Sequence, residues 1–393
     1  MIFQPNSEAQ VIKTIQDAYQ DNKKLYVIGH GTKHQVGRPV EADQSLSLKA
    51  LSGITNYTPN EMVIEAYAGT PLEEIEQSLH AKNQELSFEP YRLNILFGSH
   101  DTGSIGGAAA MNLSGSRSLK TGTLRDSLIG IKGVNGAGIA FKSGGKVMKN
   151  VTGYDLVKLL SGSYGTLAAI THVSFKTQPI SPSQTTLIFN IANHSDAVDI
   201  LCTAMGEAFD ITAAAAIPKQ DGSWEALLRL EGFDNSLNYR SKKLASLFRK
   251  HSEPQQLVAE LSKARWKDIQ ELSPVRTVKG SIWRLSMRPT DAPKFITRLE
   301  QGQEKVKLFL DWSGGLIWLG FENENTQNCE KSIQHALRKI KANITLIKAP
   351  KLDREKVNVF QPLDPALALM SKKIKASFDP LNLLNSGKLY QDI

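Results

Sequence analysis

The chain has 393 residues, 41% of them hydrophobic and 22% charged, with a formal net charge of +8. It has no run of about 18 apolar residues that could cross a membrane, and the length provides for one to three domains with a sizeable core. The basic residues are scattered, without a basic arm or an aromatic-interleaved motif, which excludes a nucleic-acid-binding module and leaves a basic surface that can attract anions.

The opening MIFQPNSEAQ lacks a basic n-region and an apolar h-region, so no signal peptide is expected. Ser7 to about Gln20 reads as a helix, with Ser7 and Gln10 at capping-box spacing and Val11, Ile15 and Ala18 on one face. KLYVIG (Lys24–Gly29) reads as a buried strand ending in a glycine turn, and NEMVIEAYAG as another strand. Thr70-Pro71-Leu72-Glu73 places an N-cap, a proline at N1 and a glutamate at N3, predicting a helix start. IGIKGVNGAGIAF is a hairpin signal around Asn135-Gly136, and GTLAAITHVSFK closes this part as a strand.

QPISPSQ, with two prolines, marks a boundary. Beyond it TTLIFNI, a helix from about Ser195, ITAAAAI, WEALLRLEG and a helix from about Leu237 run β-α-β-β-α. SIWRLSM, a helix from about Asp291, KVKLFLDW, GGLIWLGFE and a helix from about Thr326 repeat that order. The order predicts two similar halves sharing an antiparallel sheet with helices on one face. A tail from Lys351 carries a helix near Asp364–Ser377 and ends in FDPLNLLNSGKLYQDI. The expected organisation is residues 1–178, a glycine-rich domain; 185–350, a sheet-and-helix domain; and 351–393, a tail returning to the first domain.

Three glycine segments could carry chemistry. In VIGHGTKHQVG, Gly29 and Gly31 follow a strand, but position 34 is His34 and no amphipathic helix follows, so a Rossmann fingerprint fails. SGGKVM has no Ser or Thr after Lys146, so a Walker loop fails too. What remains is a loop of bare N–H groups that can form an anion-binding nest. In GSHDTGSIGGAAAMNLSG, Gly103, Gly106 and Gly107 lead into a helix-forming AAAMNL, putting glycines where N–H groups are unpaired and anions bind. In KNVTGYDLVKLLSGSYGT, Gly153 and Gly165 flank an amphipathic helix. Each segment alone also reads as a turn or a close-packing site. Together they suit a long ligand with a diphosphate in its middle.

DTGSIGGAAAMNLSG, LRDSLIGIKGVNGAG and GGKVMKNVTGYDLVKLLSGSYGTLAAIT resemble the flavin-binding half of FAD proteins of the vanillyl-alcohol-oxidase, or p-cresol methylhydroxylase (PCMH), type. Within that group they are similar to the family of FAD-binding E subunits of glycolate oxidase, a glycolate dehydrogenase. WRLS (Trp283–Ser286), DWSGGLIWL and FDPLNLLNSGKLY extend the resemblance over most of the chain. It implies an α+β fold: a two-subdomain FAD-binding PCMH-type domain plus an antiparallel-sheet cap domain of ferredoxin-like repeats.

The resemblance also implies roles. Gly29, His30, Gly31, Thr32, Lys33 and His34 would wrap the FAD pyrophosphate. Thr102, Gly103, Ser104, Gly106, Gly107 and Asn112 would lie along the cofactor, Arg125 and Asp126 would close the site, and Tyr164, Gly165, Thr166 and Ile170 would touch it through the backbone. Thr32 stands where covalent members have a flavin-bound histidine, so FAD is expected to be non-covalent, although His30 and His34 are nearby. Ala168 and Ser386 stand where the family usually has glycine and proline.

Relatives with their own 2-hydroxy acid site carry a His-rich H-x-G-D-G-N-x-H-type metal motif. None of the eight histidines here is in one, so no metal is expected. For a small 2-hydroxy acid substrate, Arg284 is the carboxylate candidate and Asp311 the acid–base candidate, with a buried Arg–Asp structural pair as the competing reading. The resemblance implies two partners, a second FAD-binding flavoprotein subunit and an iron–sulfur subunit; Cys202 and Cys329 are the chain's two cysteines and cannot hold a cluster here. The expected localisation is cytoplasmic, peripheral to the inner membrane at most through partners. Two alternatives stay open: a stand-alone FAD-dependent dehydrogenase of another small 2-hydroxy acid, and a non-catalytic structural or electron-relay flavin subunit.

Overall fold

The computed structural model describes residues 1–145, 154–302 and 305–391. The chain divides into two compact units. One comprises Met1–Ser114, Gly122–Ile180 and Pro362–Ile393; the other comprises Gly115–Thr121 and Ser181–Gln361. Among the described residues no helix is long and apolar enough to cross a membrane.

The first unit holds two sheets. Strands β1 (Ile2–Phe3), β2 (Leu25–Ile28) and β3 (Gln44–Ser47) form a parallel sheet in the order β1-β3-β2. The helix Glu8–Gln20 packs on it through Val11, Ile15 and Ala18, which are buried with Leu25, Leu46 and Leu384. Ser7 caps that helix by accepting from the Gln10 N–H, as its spacing predicts.

The second sheet is antiparallel. β4 (Ile54–Thr58), β5 (Val63–Tyr67), β9 (Ala168–Pro179), β7 (Leu128–Asn135) and β8 (Ala140–Gly144) lie in that order, and β6 (Gln84–Leu86) adds to β9. One face, with Ile131, Val173 and Phe175, packs on the helices Leu72–His80 and Ile105–Met111. The helix after β5 starts one residue later than Thr70-Pro71 predicts, with Pro71 at its N-cap. The Thr70 hydroxyl donates instead to the carbonyls of Gly53 and Tyr67, and it also accepts the Gly53 N–H.

The second unit is an eight-stranded sheet with the order β13-β10-β12-β11-β15-β16-β14-β17. Its strands are β10 (Ser183–Ile191), β11 (Ala213–Pro218), β12 (Trp224–Gly232), β13 (Gln255–Val258), β14 (Ile282–Met287), β15 (Val306–Asp311), β16 (Leu316–Phe321) and β17 (Ala342–Lys348). Each half runs β-α-β-β-α-β, so β13 and β17 complete the two repeats whose first five elements the sequence predicts. The order is mirrored about the junction of β11 and β15, where Ala216 faces Leu310.

The helices His194–Gly206, Asp234–Leu247, Ala292–Glu300 and Thr326–Ala336 share one core with the sheet through Leu201, Leu244, Phe295 and Ile333. An additional helix, Ala259–Gln270, uses the other face. There Trp266 lies against Arg229, 4.8 Å from ring centroid to guanidinium, and donates to the Thr186 hydroxyl at 2.8 Å. Gly115–Thr121 joins this unit because Arg117 pairs with Glu231 at 2.6 Å and Ser116 donates to Asp311 at 2.6 Å, all four side chains being buried or nearly so.

Candidate functional site

The first unit contains a groove whose floor is the loop after β2. Gly29–His34 line it together with Ser104, Gly106 and Gly107, the turn Tyr164-Gly165, and Ala168 and Ile170 at the start of β9. In that loop the backbone N–H groups of His30, Gly31, Thr32 and Lys33 have no hydrogen-bond partner among the described residues. Four successive open N–H groups form a nest for an anion. Gly31 has φ +75°, and a Cβ built on it meets nothing within 4 Å, so its missing side chain leaves room in the groove.

The loop is held from beneath. The His30 side chain is buried, with Nδ1 at 2.8 Å from both Asp101 carboxylate oxygens and Nε2 at 2.8 Å from the Gly69 carbonyl. Asp101 also accepts the Gly103 N–H at 2.8 Å. Burial pushes the Asp101 carboxyl up, but the Gly103 N–H and His30 outweigh it and hold the group below the usual carboxylate range. One carboxylate therefore ties the first glycine segment to the second. The His30 ring, engaged at both nitrogens, is turned into the protein.

Lys33 supplies a cation beside the nest. Its ammonium donates to the Thr32 hydroxyl at 3.1 Å. Burial, opposed by Asp101 and aided by Arg92, lowers its pKa to about 8. The exposed His34 faces the Gly31 carbonyl through Nδ1 at 2.8 Å.

The second glycine segment has a different task from the one expected of it. The N–H groups of Gly103, Ile105, Gly106 and Gly107 are taken by Asp101, Thr70, Ala68 and the Ser104 hydroxyl respectively. Its helix start is thus paired internally and offers no anion site. A Cβ on Gly106 would sit 2.5 Å from the Ala68 Cβ and 2.7 Å from its carbonyl oxygen, so glycine is required here for the helix Ile105–Met111 to approach the chain after β5. Only the outer side of the segment reaches the groove.

Of the other residues singled out in the sequence, Thr102, Gly103, Asn112, Arg125, Asp126 and Thr166 do not line the groove. The Thr102 hydroxyl accepts the Glu73 N–H. Asn112, at φ +50°, ends the helix Ile105–Met111 and accepts the Arg125 N–H through its side chain. Asp126 caps its own turn through Thr123, and Thr166 closes a turn on Ser163. Within GGKVMKNVTGYDL, Lys146–Gly153 lie outside the described residues.

Two lining residues come from the tail and carried no assignment. Asn385 accepts the Val27 N–H at 2.7 Å and donates to the carbonyls of Val27 and Tyr164, stitching β2 to the Tyr164 turn. Lys388 donates to the His34 carbonyl at 3.0 Å and lies over the Tyr26 ring. The NSGK run within the tail block was the available signal. The remaining wall is apolar, with Val36, Leu48, Ala110 and Met111.

Arg284 and Asp311 belong to the second unit. Asp311 is fully buried, accepting from the Ser116 hydroxyl through one oxygen and from the Trp312 N–H through the other. The Arg284 guanidinium stacks 5.1 Å from the centroid of the Trp312 ring.

An open N–H nest flanked by a lysine, continuing into an apolar wall, fits a ligand with a diphosphate and a flat aromatic ring, as FAD has. Residues 1–144 match the family model of the FAD binding domain. The chain is 30% identical over 384 residues to glycolate oxidase subunit GlcE of Escherichia coli (strain K12), covering 98% of this chain and 97% of that protein. It is 29% identical over 200 residues to D-lactate dehydrogenase of Archaeoglobus fulgidus, covering 51% of this chain and 43% of that one. Substrate-bound p-cresol methylhydroxylase superposes with a TM-score of 0.73 at 14% identity, covering all of this chain and 88% of the other, which shows a shared fold. The FAD-binding domain and these relatives define an FAD-dependent oxidoreductase, built on the fold of p-cresol methylhydroxylase. The chain belongs to the family of glycolate oxidase subunit GlcE.

Proposed function

We propose that this chain is the FAD-carrying, GlcE-type subunit of a glycolate oxidase complex that oxidises glycolate, or a close 2-hydroxy acid, to the 2-oxo acid. The observation that carries this reading is end-to-end similarity to GlcE, on a chain whose N–H nest suits a dinucleotide. Bound FAD supplies two-electron acceptor chemistry for oxidation of a CH–OH group.

In this reading His30, Gly31, Thr32 and Lys33 hold the diphosphate through their N–H groups, with the Lys33 ammonium neutralising it. Leu48, Ala110, Met111 and Ala168 exclude water from the aromatic parts. FAD is non-covalent: Thr32 has no ring nitrogen to offer, His30 is fastened at both nitrogens, and the exposed His34 is held to Gly31. Arg284 is the proposed carboxylate ligand, and Asp311 fixes the Trp312 turn on which it stacks. Electrons pass to an iron–sulfur partner subunit, a second flavoprotein subunit completes the complex, and the assembly is cytoplasmic, reaching the inner membrane through its partners.

The test is an absorbance spectrum of the purified chain before and after anaerobic glycolate, alone and with its partner subunits. The expected result is a yellow protein bleached by glycolate in the complex. A colourless chain that rejects FAD overturns the reading. Bleaching of the isolated chain makes it a stand-alone dehydrogenase.

A further inference from the structure

The antiparallel sheet of the first unit carries a second cavity that shares no lining residue with the groove. Strand register builds it. Tyr67 on β5 lies opposite His172 on β9, His172 opposite Lys132 on β7, and Lys132 opposite Lys142 on β8. Residues paired directly across strands share one face, so these four side chains form a continuous row over four strands. The next row on that face is Glu65, Ser174, Gly130 and Gly144. The two glycines leave a floor beside the row, and the space above has a volume of about 430 Å³.

The charges are unbalanced. Two lysines directly opposite each other across a strand pair repel. Neither ammonium has an ion-pair or hydrogen-bond partner among the described residues. Glu65, the carboxylate of the lining, is engaged by the Ser174 hydroxyl at 3.2 Å and does not neutralise them. His172 is fixed at Nε2 by the Thr55 hydroxyl at 2.7 Å and packs edge-on against Tyr67. The row therefore presents two ammonium groups, a phenol and an oriented imidazole along the cavity, with Glu65 also in its lining.

We propose that this cavity binds a small phosphate-type oxyanion, separately from the cofactor. The ammonium groups of Lys132 and Lys142 take two of its oxygens, and the carboxylate of Glu65 accepts from its protonated oxygen. Such a ligand offsets the repulsion built into the β7–β8 pair and also has a hydroxyl to donate to Glu65, which chloride lacks. Free inorganic phosphate and the phosphoryl group of a small metabolite share this chemistry.

The experiment is calorimetric titration of the FAD-loaded full chain with inorganic phosphate and, in a second arm, with glycerol 3-phosphate, at ionic strength held constant with sodium chloride. Saturable one-to-one binding with an unchanged flavin spectrum is expected. Lys142→Gln should weaken it about tenfold, the loss of one charged hydrogen bond, and Lys132→Gln with Lys142→Gln should abolish it. The double variant should melt at or above the wild-type temperature in phosphate-free buffer, because it no longer holds facing like charges. Tighter binding of the monoester assigns the cavity to a metabolite, and equal or weaker binding assigns it to free phosphate. Absence of saturable binding, undiminished binding by the double variant, or release of FAD by phosphate overturns the proposal.

Discussion

Gly106 and Gly31 separate a glycine that lets the protein pack from one that lets a ligand in. Gly106→Ala places a methyl group 2.5 Å from the Ala68 Cβ and 2.9 Å from its Cα. Carbon atoms in contact prefer about 3.5–4.0 Å, so the backbones must part by about 1 Å. That movement strains the bonds from Gly106 N–H to Ala68 and from Ile105 N–H to Thr70, both 2.9 Å long. Overpacking costs about 1–3 kcal/mol and each of the two weakened buried bonds about 1 kcal/mol, for a total of about 3–5 kcal/mol. At about 2–4 °C per kcal/mol, the apo protein should melt roughly 5–20 °C lower.

Gly31→Ala meets no atom, and its left-handed backbone costs about 1–2 kcal/mol. It should melt only a few degrees lower, yet bind FAD at least about tenfold more weakly, because the methyl group enters the nest. Calorimetric melting of the apo chains, with flavin fluorescence titration, measures both quantities. Wild-type melting of Gly106→Ala would show that the Ala68 contact is not tight. Wild-type FAD affinity in Gly31→Ala would show that the cofactor lies elsewhere.

Lys375 is buried and donates to the Thr166 and Leu384 carbonyls and to Asp379, itself fully buried. Lys375→Met should destabilise the chain by about 3–5 kcal/mol in thermal melting, and adding Asp379→Asn should recover part of that. Lys33, with a pKa of about 8 in the open groove, is charged below pH 8, and a bound diphosphate raises its pKa. FAD affinity should therefore fall above pH 8, by at most about tenfold per unit, and Lys33→Met should flatten the profile in equilibrium titrations. Apo stability has the opposite sign: the unfolded lysine titrates at 10.5, so the fold gains stability as pH rises from about 8 towards that value. Asp101→Asn removes the charge that fastens His30 and should weaken FAD binding while leaving the far-ultraviolet circular dichroism unchanged; equal affinity would sever the link between the two glycine segments.

Much of the fold is legible because periodicity and punctuation agree along the chain. The repeated β-α-β-β-α order predicts two halves of one sheet, and the structure adds β13 and β17 as their outermost strands. β13 reads poorly because Gln255-Gln256-Leu257-Val258 lies at a sheet edge, where polar residues replace the alternating pattern. The nest after β2 is legible from Gly29 and Gly31. The pairing of the second glycine segment is not, since its acceptors, Ala68 and Thr70, are supplied by tertiary approach. The NSGK run marks Asn385 and Lys388, but not what they hold: their partners at Val27 and His34 lie more than 350 positions upstream.

That separation fixes an order of events during synthesis. The nest and the glycine helix are made early, and Asn385 and Lys388 follow more than 350 residues after their partners at Val27 and His34. A nascent chain can fold its first sheets, since domains form in the order they emerge, yet it cannot finish the groove. A ribosome stalled before Asn385 therefore leaves the groove without two of its lining residues.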